Sequence, residues 1–320
     1  MHKHLIITVL SALCTCVLAA TPDTVSAQEQ EAQKAVLVTG ASSGIGRKIT
    51  EVLAANGHFV YAGARKEKDL AELNKIDNVE ALRLDVTVQD DIDAAVTRIT
   101  KAGRGLHGVV NNAGVGVFSP MNETPEKDID FVFDVNIYGP YRINKAFTPL
   151  LAENKGRTTT IGSISGFISG ARSGTYSMSK FAIEAYTDAL AAELAESGVL
   201  VSVIEPGGFR SKIREKVVLH AMGKTSAETG DLSAEEQEQL NKMRERNASL
   251  KQPDEVAEAT LHALFAEKPK PRYMVTPDQQ EAEATIRAAL TRVAQLNADQ
   301  PYSYSLEGLT KMLEEAMAEQ

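Results

Sequence analysis

Short apolar runs alternate with amphipathic segments along most of the chain. Six runs rich in β-branched residues predict strands, at 35–39, 58–63, 79–84, 106–111, 157–162 and 199–205. Between them, the spacing of apolar residues predicts helices, within 45–56, 88–102, 125–153 and 176–197. Strands and helices that alternate in this way form a parallel sheet through right-handed crossovers. We therefore predict an α/β fold with a doubly wound parallel sheet, in which ligands bind at the carboxyl ends of the strands.

The charge and composition of the chain argue against some classes of function. The 320 residues carry a formal net charge of −9, which argues against a nucleic-acid partner because such proteins present a basic surface. From residue 35 onward, no apolar run is long enough to span a bilayer. The alternating pattern ends near residue 275, and the remainder is rich in Ala, Glu and Leu. We expect one domain over 34–275, followed by a helical C-terminal extension over 276–320.

The N-terminal residues have the layout of a secretory signal peptide. A basic start precedes an apolar run at 5–20, and small residues follow, with Ala27 the best cleavage position and Ala19 or Ala20 as rivals. As a helix the run would extend roughly 24 Å, short for a bilayer core of about 30 Å. We predict a signal peptide over 1–27 and an exported, periplasmic protein. The alternative is an uncleaved anchor that contacts the membrane only through residues 5–20.

Metal-ligand patterns are absent from the sequence. Both cysteines, Cys14 and Cys16, lie in the leader, and the six histidines show no metal-binding spacing. We predict no metal site.

A glycine-rich turn follows the first predicted strand. In "VTGASSGIG", residues 38–46, three glycines allow the backbone to turn tightly and approach a pyrophosphate. The N-terminus of the next helix supplies N–H donors and a positive dipole. This context predicts a dinucleotide-binding loop.

Tyr176 and Lys180 stand four residues apart in a predicted helix, which stacks their side chains on one face. A neighbouring cation favours the phenolate, and so lowers the tyrosine pKa from about 10. A proton donor and acceptor tuned in this way suits the interconversion of an alcohol and a carbonyl. The alternative is an exposed pair on a surface helix.

Five ordered motifs decide between these readings. They are T-G-x-x-x-G-x-G at 39–46, "NNAG" at 111–114, "GSISG" at 162–166, the Tyr-x-x-x-Lys pair and "PG" at 206–207. With them the chain resembles the short-chain dehydrogenase/reductase family over roughly residues 34–275, and within it the bacterial relatives of retinol and hydroxysteroid dehydrogenases. The resemblance implies a Rossmann-type domain that transfers hydride between a nicotinamide nucleotide and an alcohol or carbonyl. It also implies a homodimer or homotetramer.

The resemblance assigns catalytic roles to four residues. Tyr176 is the general acid and base, and Lys180 lowers its pKa and holds the nicotinamide ribose. Ser163 hydrogen-bonds the substrate oxygen, with Ser165 in the same loop as the alternative. Asn136 holds a water near Lys180, unless it is simply a satisfied helix residue.

The resemblance also implies the cofactor contacts, at Gly40, Ser42, Ser43, Gly44, Ile45, Gly46, Arg65, Asp85, Val86, Asn112, Tyr176, Lys180, Pro206, Gly207, Phe209 and Ser211. Ala64 stands where NAD-selective relatives carry Asp, and the next residue, Arg65, can fork onto a 2′-phosphate. We expect NADP(H), with NAD(H) as the alternative because Ser43 stands where many NADP-dependent relatives carry Arg. Asp85 accepts from the adenine amine or caps the following helix.

Apolar residues in two segments, 166–172 and 214–223, predict an apolar substrate pocket. The sequence thus predicts an NADP(H)-dependent oxidoreductase that interconverts a small apolar alcohol and its ketone or aldehyde. Two alternatives are a non-catalytic NAD(P)-binding sensor and a nucleotide-sugar epimerase or dehydratase. The intact set of four catalytic-type residues argues against the sensor, and the glycine spacing argues against the epimerase.

Overall fold

Seven parallel strands form one sheet in this computed structural model, which describes residues 33–225 and 229–319. The strands are β1 (Ala35–Val38), β2 (Phe59–Ala64), β3 (Val79–Arg83), β4 (Gly108–Asn111), β5 (Arg157–Ile161), β6 (Leu200–Pro206) and β7 (Arg272–Val275). Their order is β3-β2-β1-β4-β5-β6-β7, and every neighbouring pair is parallel. This confirms the predicted doubly wound fold. The strand order reverses between β1 and β4, which opens a crevice at their carboxyl ends.

Helices cover both faces of the sheet and continue to the C-terminus. They are α1 (Gly44–Ala55), α2 (Glu67–Leu73), α3 (Gln89–Ala102), α4 (Glu126–Phe133), α5 (Gly139–Glu153), α6 (Gly174–Leu194), α7 (Ile213–Ala221), α8 (Ala234–Ala248), α9 (Asp254–Phe265), α10 (Gln279–Asn297) and α11 (Leu306–Ala318). The predicted leader, residues 1–27, lies outside the described residues, so its identity stays a prediction.

Strand β1 shows how the two hydrophobic layers arise from one sequence. Side chains alternate across a strand. Accordingly, Val36 and Val38 pack in the layer with α1 and α9, whereas Ala35 and Leu37 pack in the layer with α3 and α5. All four are buried. A strand that is apolar on both faces must be covered on both, which places it in the middle of an α/β sandwich.

The segment predicted as one helix over 125–153 is interrupted. Residues Asp134–Tyr138 form a π-helical turn between α4 and α5. Pro140 occupies the start of α5 and has no N–H, so it cannot donate the α-helical hydrogen bond to the carbonyl of Asn136. Single π turns of this kind are frequent at functional sites. The interruption therefore falls at one of the predicted catalytic residues.

The C-terminal extension is helical, as its composition indicates. Helix α10 packs on α6, where the Arg292 guanidinium lies 4.4 Å from the ring centre of Phe181. Within the described residues, no helix combines the length and apolar character that crossing a membrane requires.

Candidate active site

Three glycines shape the loop between β1 and α1. Gly40 and Gly44 have φ values of +64° and +59°, in the left-handed region that favours glycine. A Cβ on Gly46 would lie 2.2 Å from Asn112 Nδ2 and 2.6 Å from the carbonyl oxygen of Gly40. The loop therefore closes on itself only with glycine at these positions.

The N-terminus of α1 is open toward the crevice. Its N-cap residue, Ser43, makes no side-chain capping bond in the described part of the chain, so the first N–H groups keep their capacity to bind an anion. From the end of β4, Asn112 Nδ2 donates to the carbonyls of Thr39 at 2.9 Å and Gly40 at 3.1 Å. Asn112 thus braces the loop. An uncapped helix start behind a glycine turn fits a dinucleotide pyrophosphate.

Tyr176, Ser163 and Lys180 meet where β5 runs into its following loop. Ser163 lies near enough to the Tyr176 phenol to act on its proton affinity. The N–H of Ser165 donates to Ser163 Oγ at 3.1 Å, so the rival serine supports Ser163. Lys180 is 6% exposed, and its Nζ donates to the carbonyl of Ile161 at 2.8 Å. The same Nζ lies 5.6 Å from the centre of the Tyr176 ring.

Burial dominates the proton affinities of this pair. It lowers the pKa of the Lys180 ammonium to about 8, against the opposing charge of Glu184. Burial also raises the pKa of the Tyr176 phenol, although Ser163 and the charge of Arg214 act in the other direction. The Lys180 amine is directed to the carbonyl of Ile161, and its lowering of the Tyr176 pKa stays a prediction.

Asn136 ties together three elements around the crevice. Its Oδ1 accepts from the N–H of Val115 at 2.9 Å, and its Nδ2 donates to the Val115 carbonyl at 3.0 Å and to Ser179 Oγ at 3.0 Å. These bonds join the π turn to the segment after β4 and to α6, which carries Tyr176. The side chain holds the scaffold, and the structure shows no direct contact between it and Lys180.

Arg65 and Asp85 lie together at the ends of β2 and β3. Arg65 Nη1 donates to Asp85 Oδ2 at 3.1 Å, and the Arg65 side chain is 59% exposed. Burial alone would raise the pKa of Asp85, but hydrogen bonds from Thr87 and the Arg65 guanidinium hold it below its ordinary value. Asp85 accepts both the N–H and the hydroxyl of Thr87, so it stabilises the turn before α3.

The remaining predicted cofactor residues differ in how deeply their side chains are buried. The side chains of Val86 and Phe209 are buried in the two hydrophobic layers, and Ile45 packs against one of them. At the rim, the carbonyl of Pro206 accepts from Ser163 Oγ at 3.4 Å. A Cβ on Gly44 would lie 3.2 Å from Ser211 Cβ.

This geometry agrees with the family comparison. The sequence profile named short chain dehydrogenase matches residues 34–221. The chain belongs to the short-chain dehydrogenase family. This confirms the prediction of an oxidoreductase that acts on alcohol and carbonyl groups. Among the described residues, no group of three His, Cys, Asp or Glu side chains could hold a metal ion.

Individual members of the family cover most of the chain. It is 33% identical over 250 residues to the uncharacterized oxidoreductase YbbO of Escherichia coli strain K12, across 76% of this chain and 86% of YbbO. It is 32% identical over 285 residues to the NADPH-dependent 3-dehydrocapnine reductase of Ornithobacterium rhinotracheale, across 86% of this chain and 98% of that protein. A short-chain dehydrogenase from Streptomyces avermitilis superposes with a TM-score of 0.66 at 28% identity, across 85% and 99% of the two chains.

Sequence motifs did not reveal a contact between the C-terminal extension and the loop after β6. Glu281, in α10, accepts the N–H of Gly208 through Oε2 at 2.7 Å. A Cβ on Gly207 would lie 2.2 Å from that oxygen. The two glycines therefore make room for a carboxylate from 73 residues further along the chain. No periodicity or spacing in the sequence signals such a pairing.

A second unpredicted feature is a pair of carboxyl groups beneath the catalytic loop. Glu184 follows Lys180 by one helical turn and is 8% exposed, and Glu205 in β6 is 3% exposed. Arg272 Nε lies 3.4 Å from Glu184 Oε2 and 3.5 Å from Glu205 Oε1. Burial and the neighbouring Glu184 charge raise the pKa of Glu205 to about 8. Arg272 also donates to Asp188 Oδ1 at 2.8 Å, so one cation serves three carboxyls, and the buried pair binds a proton more tightly than an exposed carboxyl does.

Proposed function

We propose that this protein is an NADP(H)-dependent oxidoreductase that interconverts a hydrophobic alcohol and its ketone or aldehyde. The observation that carries the proposal is the grouping of Tyr176, Ser163 and Lys180, in which the buried lysine amine lies 5.6 Å from the centre of the phenol ring. These three side chains stand at the carboxyl end of the sheet, on the same edge as the glycine loop. A proton donor, an oxygen-binding hydroxyl and a nucleotide loop are the parts that a reversible carbonyl reduction needs.

Each residue has a distinct role in the proposal. The bound nicotinamide supplies or accepts the hydride. Tyr176 gives a proton to the carbonyl oxygen in reduction and takes it back in oxidation. Ser163 donates to that same oxygen and orients it. Lys180, with its pKa of about 8, carries a variable charge near neutral pH, and so changes the ease of proton transfer through Tyr176. Asn136 fixes α6 against the π turn.

Positive charge near Arg65 supports NADP(H) as the cofactor. Burial lowers the pKa of Lys216, and the charges of Arg65, Lys212 and Lys66 lower it further, while Asp69 opposes them. Arg65 and Lys66 follow β2, and Lys212 and Lys216 of the α7 segment interact electrostatically with them, where the second strand of such folds meets the adenosine ribose. A 2′-phosphate relieves their mutual repulsion. The NADPH-dependent relative supports the same preference.

A fluorescence titration of the purified protein with NADPH and with NADH tests the cofactor. We expect tighter NADPH binding that falls toward the NADH value in Arg65→Ala. Arg98 lies in α3 and pairs with Glu80 in β3. Arg98→Ala is therefore the matched control, and it should leave the affinities for both nucleotides unchanged. Equal affinities for the two nucleotides, or no effect of Arg65→Ala, would contradict the NADP(H) assignment.

Export and oligomerisation are part of the proposal. The leader over 1–27 directs the protein across the inner membrane, and the mass of the mature N-terminus tests this. An intact Met1 in the membrane fraction would establish an anchor instead. A homodimer or homotetramer is expected in solution, which light scattering measures directly.

A further inference from the structure

A cavity of about 270 Å³ lies between the covering helix α7 and helix α8. Its lining consists of Arg214, Met243, Arg246, Ser249 and Leu250. One guanidinium comes from each helix, and the methionine and leucine supply apolar walls. Arg214, Arg246 and Ser249 are exposed, whereas Met243 and Leu250 are half-buried. The cavity is therefore open to solvent and combines two positive charges with an apolar floor.

Both guanidinium groups lack a carboxylate partner. Among the described residues, no Asp or Glu oxygen lies within 4.0 Å of Arg214 or Arg246, whereas the neighbouring Arg244 pairs with Glu215 at 2.6 Å. Glu281 Oε2 accepts the Gly208 N–H. A Cβ on Gly208 would lie 2.6 Å from Glu281 Oε1 and 3.5 Å from Arg214 Nη2, so this carboxylate lies beside Arg214 without forming an ion pair with it. Two like charges that face one cavity repel each other, and an oxyanion between them reverses that repulsion. Arginine is the side chain best suited to hold a carboxylate or a related oxyanion.

Arg214 connects the cavity with the catalytic tyrosine. The charge of Arg214 acts on the Tyr176 phenol and opposes the rise in its pKa. Val217 follows Arg214 by one turn of α7, on the same face. A Cβ on Gly116 would lie 3.4 Å from Val217 Cγ2 and 3.6 Å from Tyr176 Cδ2. Val217 and Tyr176 thus border the same space, and Arg214 stands one turn away from it.

We propose that Arg214 and Arg246 bind an acidic group of the substrate, while its carbonyl or hydroxyl carbon lies at Ser163 and Tyr176. This inference rests on the proposed function and refines its substrate class. The substrate is an amphiphile with an apolar chain and a singly charged oxyanion such as a carboxylate, and not a neutral lipid-like alcohol. Met243 and Leu250 contact the apolar part next to the charge.

The phosphates of the dinucleotide are the competing anion. Their predicted cradle is the glycine loop and the basic residues near Arg65, which include Lys212 and Lys216 of the α7 segment. The cavity uses α7 as well, through Arg214, but its other lining residues belong to α8 and the two residues after it. A substrate group and a cofactor phosphate can therefore be separated by measuring nucleotide affinity independently of turnover.

The test compares keto acids with their methyl esters. A series in which the ketone and the carboxylate stand at different separations is assayed with NADPH. We expect one or more acids to have a KM at least about tenfold below that of the matched ester in the wild-type protein. Arg246→Gln should raise the KM of the acid by about tenfold or more, with the ester KM and the NADPH affinity unchanged. Arg214→Gln should raise the acid KM as well, by a larger factor than the ester KM.

Lys242→Gln is the matched control. Lys242 lies one turn before Arg246 on α8, its side chain is 69% exposed and it pairs with Glu238. Lys242→Gln removes one positive charge from the same helix, and it should change neither the KM of the acid or ester nor the NADPH affinity. If Lys242→Gln raises the acid KM as much as Arg246→Gln does, the effect is general electrostatic attraction and the subsite is refuted.

The remaining outcomes are also decisive. Equal KM values for acids and esters across the series would overturn the proposal. So would arginine variants that weaken NADPH binding as much as they weaken the acid, because the arginines would then serve the dinucleotide. If NADPH binds but no compound turns over, the proposed function fails. The subsite is then tested by whether the acids quench the fluorescence of bound NADPH. The proposal requires quenching with the wild-type protein and none with Arg246→Gln.

Discussion

The buried carboxyl pair predicts how the stability of the protein depends on pH. Glu184 and Glu205 share the Arg272 guanidinium, and burial together with the Glu184 charge raises the Glu205 pKa from 4.5 to about 8. The folded protein therefore binds this proton more tightly than the unfolded chain does. The resulting stability is fully present below about pH 4.5, and it is lost as the pH rises through about 8.

The magnitude follows from the same values. The interval between 4.5 and about 8 corresponds, at ~1.36 kcal/mol for each pH unit, to about 5 kcal/mol. This is an upper bound because the Arg272 side chain is 36% exposed. Its guanidinium can move toward Glu205 when that carboxyl group loses its proton. In Glu205→Gln the group stays neutral at every pH, and its amide can donate to Glu184. We expect the free energy of unfolding of this variant, relative to wild type, to increase by about 2 to 4 kcal/mol between about pH 5 and about pH 9.

Urea denaturation followed by far-UV circular dichroism measures this difference, since the chain has no tryptophan. Glu283→Gln is the control, because Glu283 is exposed on α10 and pairs with Arg287. Its stability should stay within about 1 kcal/mol of wild type at each pH. Parallel pH dependence in wild type and Glu205→Gln would refute the shared-proton account.

Two further substitutions test the scaffold of the site. Gly46→Ala places a Cβ 2.6 Å from a backbone carbonyl, so we expect a loss of about 1 to 3 kcal/mol in stability and weaker dinucleotide binding, measured by urea denaturation and fluorescence titration. Asn136→Ala removes three hydrogen bonds to Val115 and Ser179, and should cost about 2 to 4 kcal/mol. Asn136→Asp should recover only the bond from the Val115 N–H. If Asn136→Ala unfolds like wild type, these bonds are dispensable.

The order of strands and helices was predictable because its signal is local. Each of the six predicted strands appears within two residues of its expected bounds. Strand β7 was missed, since "RYMV" is short and mixes a charged residue with apolar ones at the edge of the sheet. Helix α2 was missed because its seven residues are too few to show a clear period. The π turn at Asn136 was missed because the helical period continues on both sides of it.

The site was predictable where a motif determines both residue type and place. The glycine loop, Ser163 and the Tyr176–Lys180 pair come together because each follows a strand end or shares a helix turn. The effect of burial on the proton affinity of Tyr176 was not predictable from its neighbour at i+4, since burial depends on the whole fold. The contact between Glu281 and Gly208 joins distant parts of the sequence, and neither partner carries a pattern that indicates the other.

Carbonyl reduction by the Tyr176→Phe variant tests the central claim most directly. The assay follows NADPH consumption with a panel of apolar ketones, aldehydes and keto acids, alongside an NADPH titration of each protein. Tyr302→Phe, at a tyrosine that is 81% exposed, is the matched control. We predict that Tyr176→Phe loses at least about a hundredfold in kcat and keeps its NADPH affinity, while Tyr302→Phe matches wild type. Turnover by Tyr176→Phe near the wild-type rate would contradict the account.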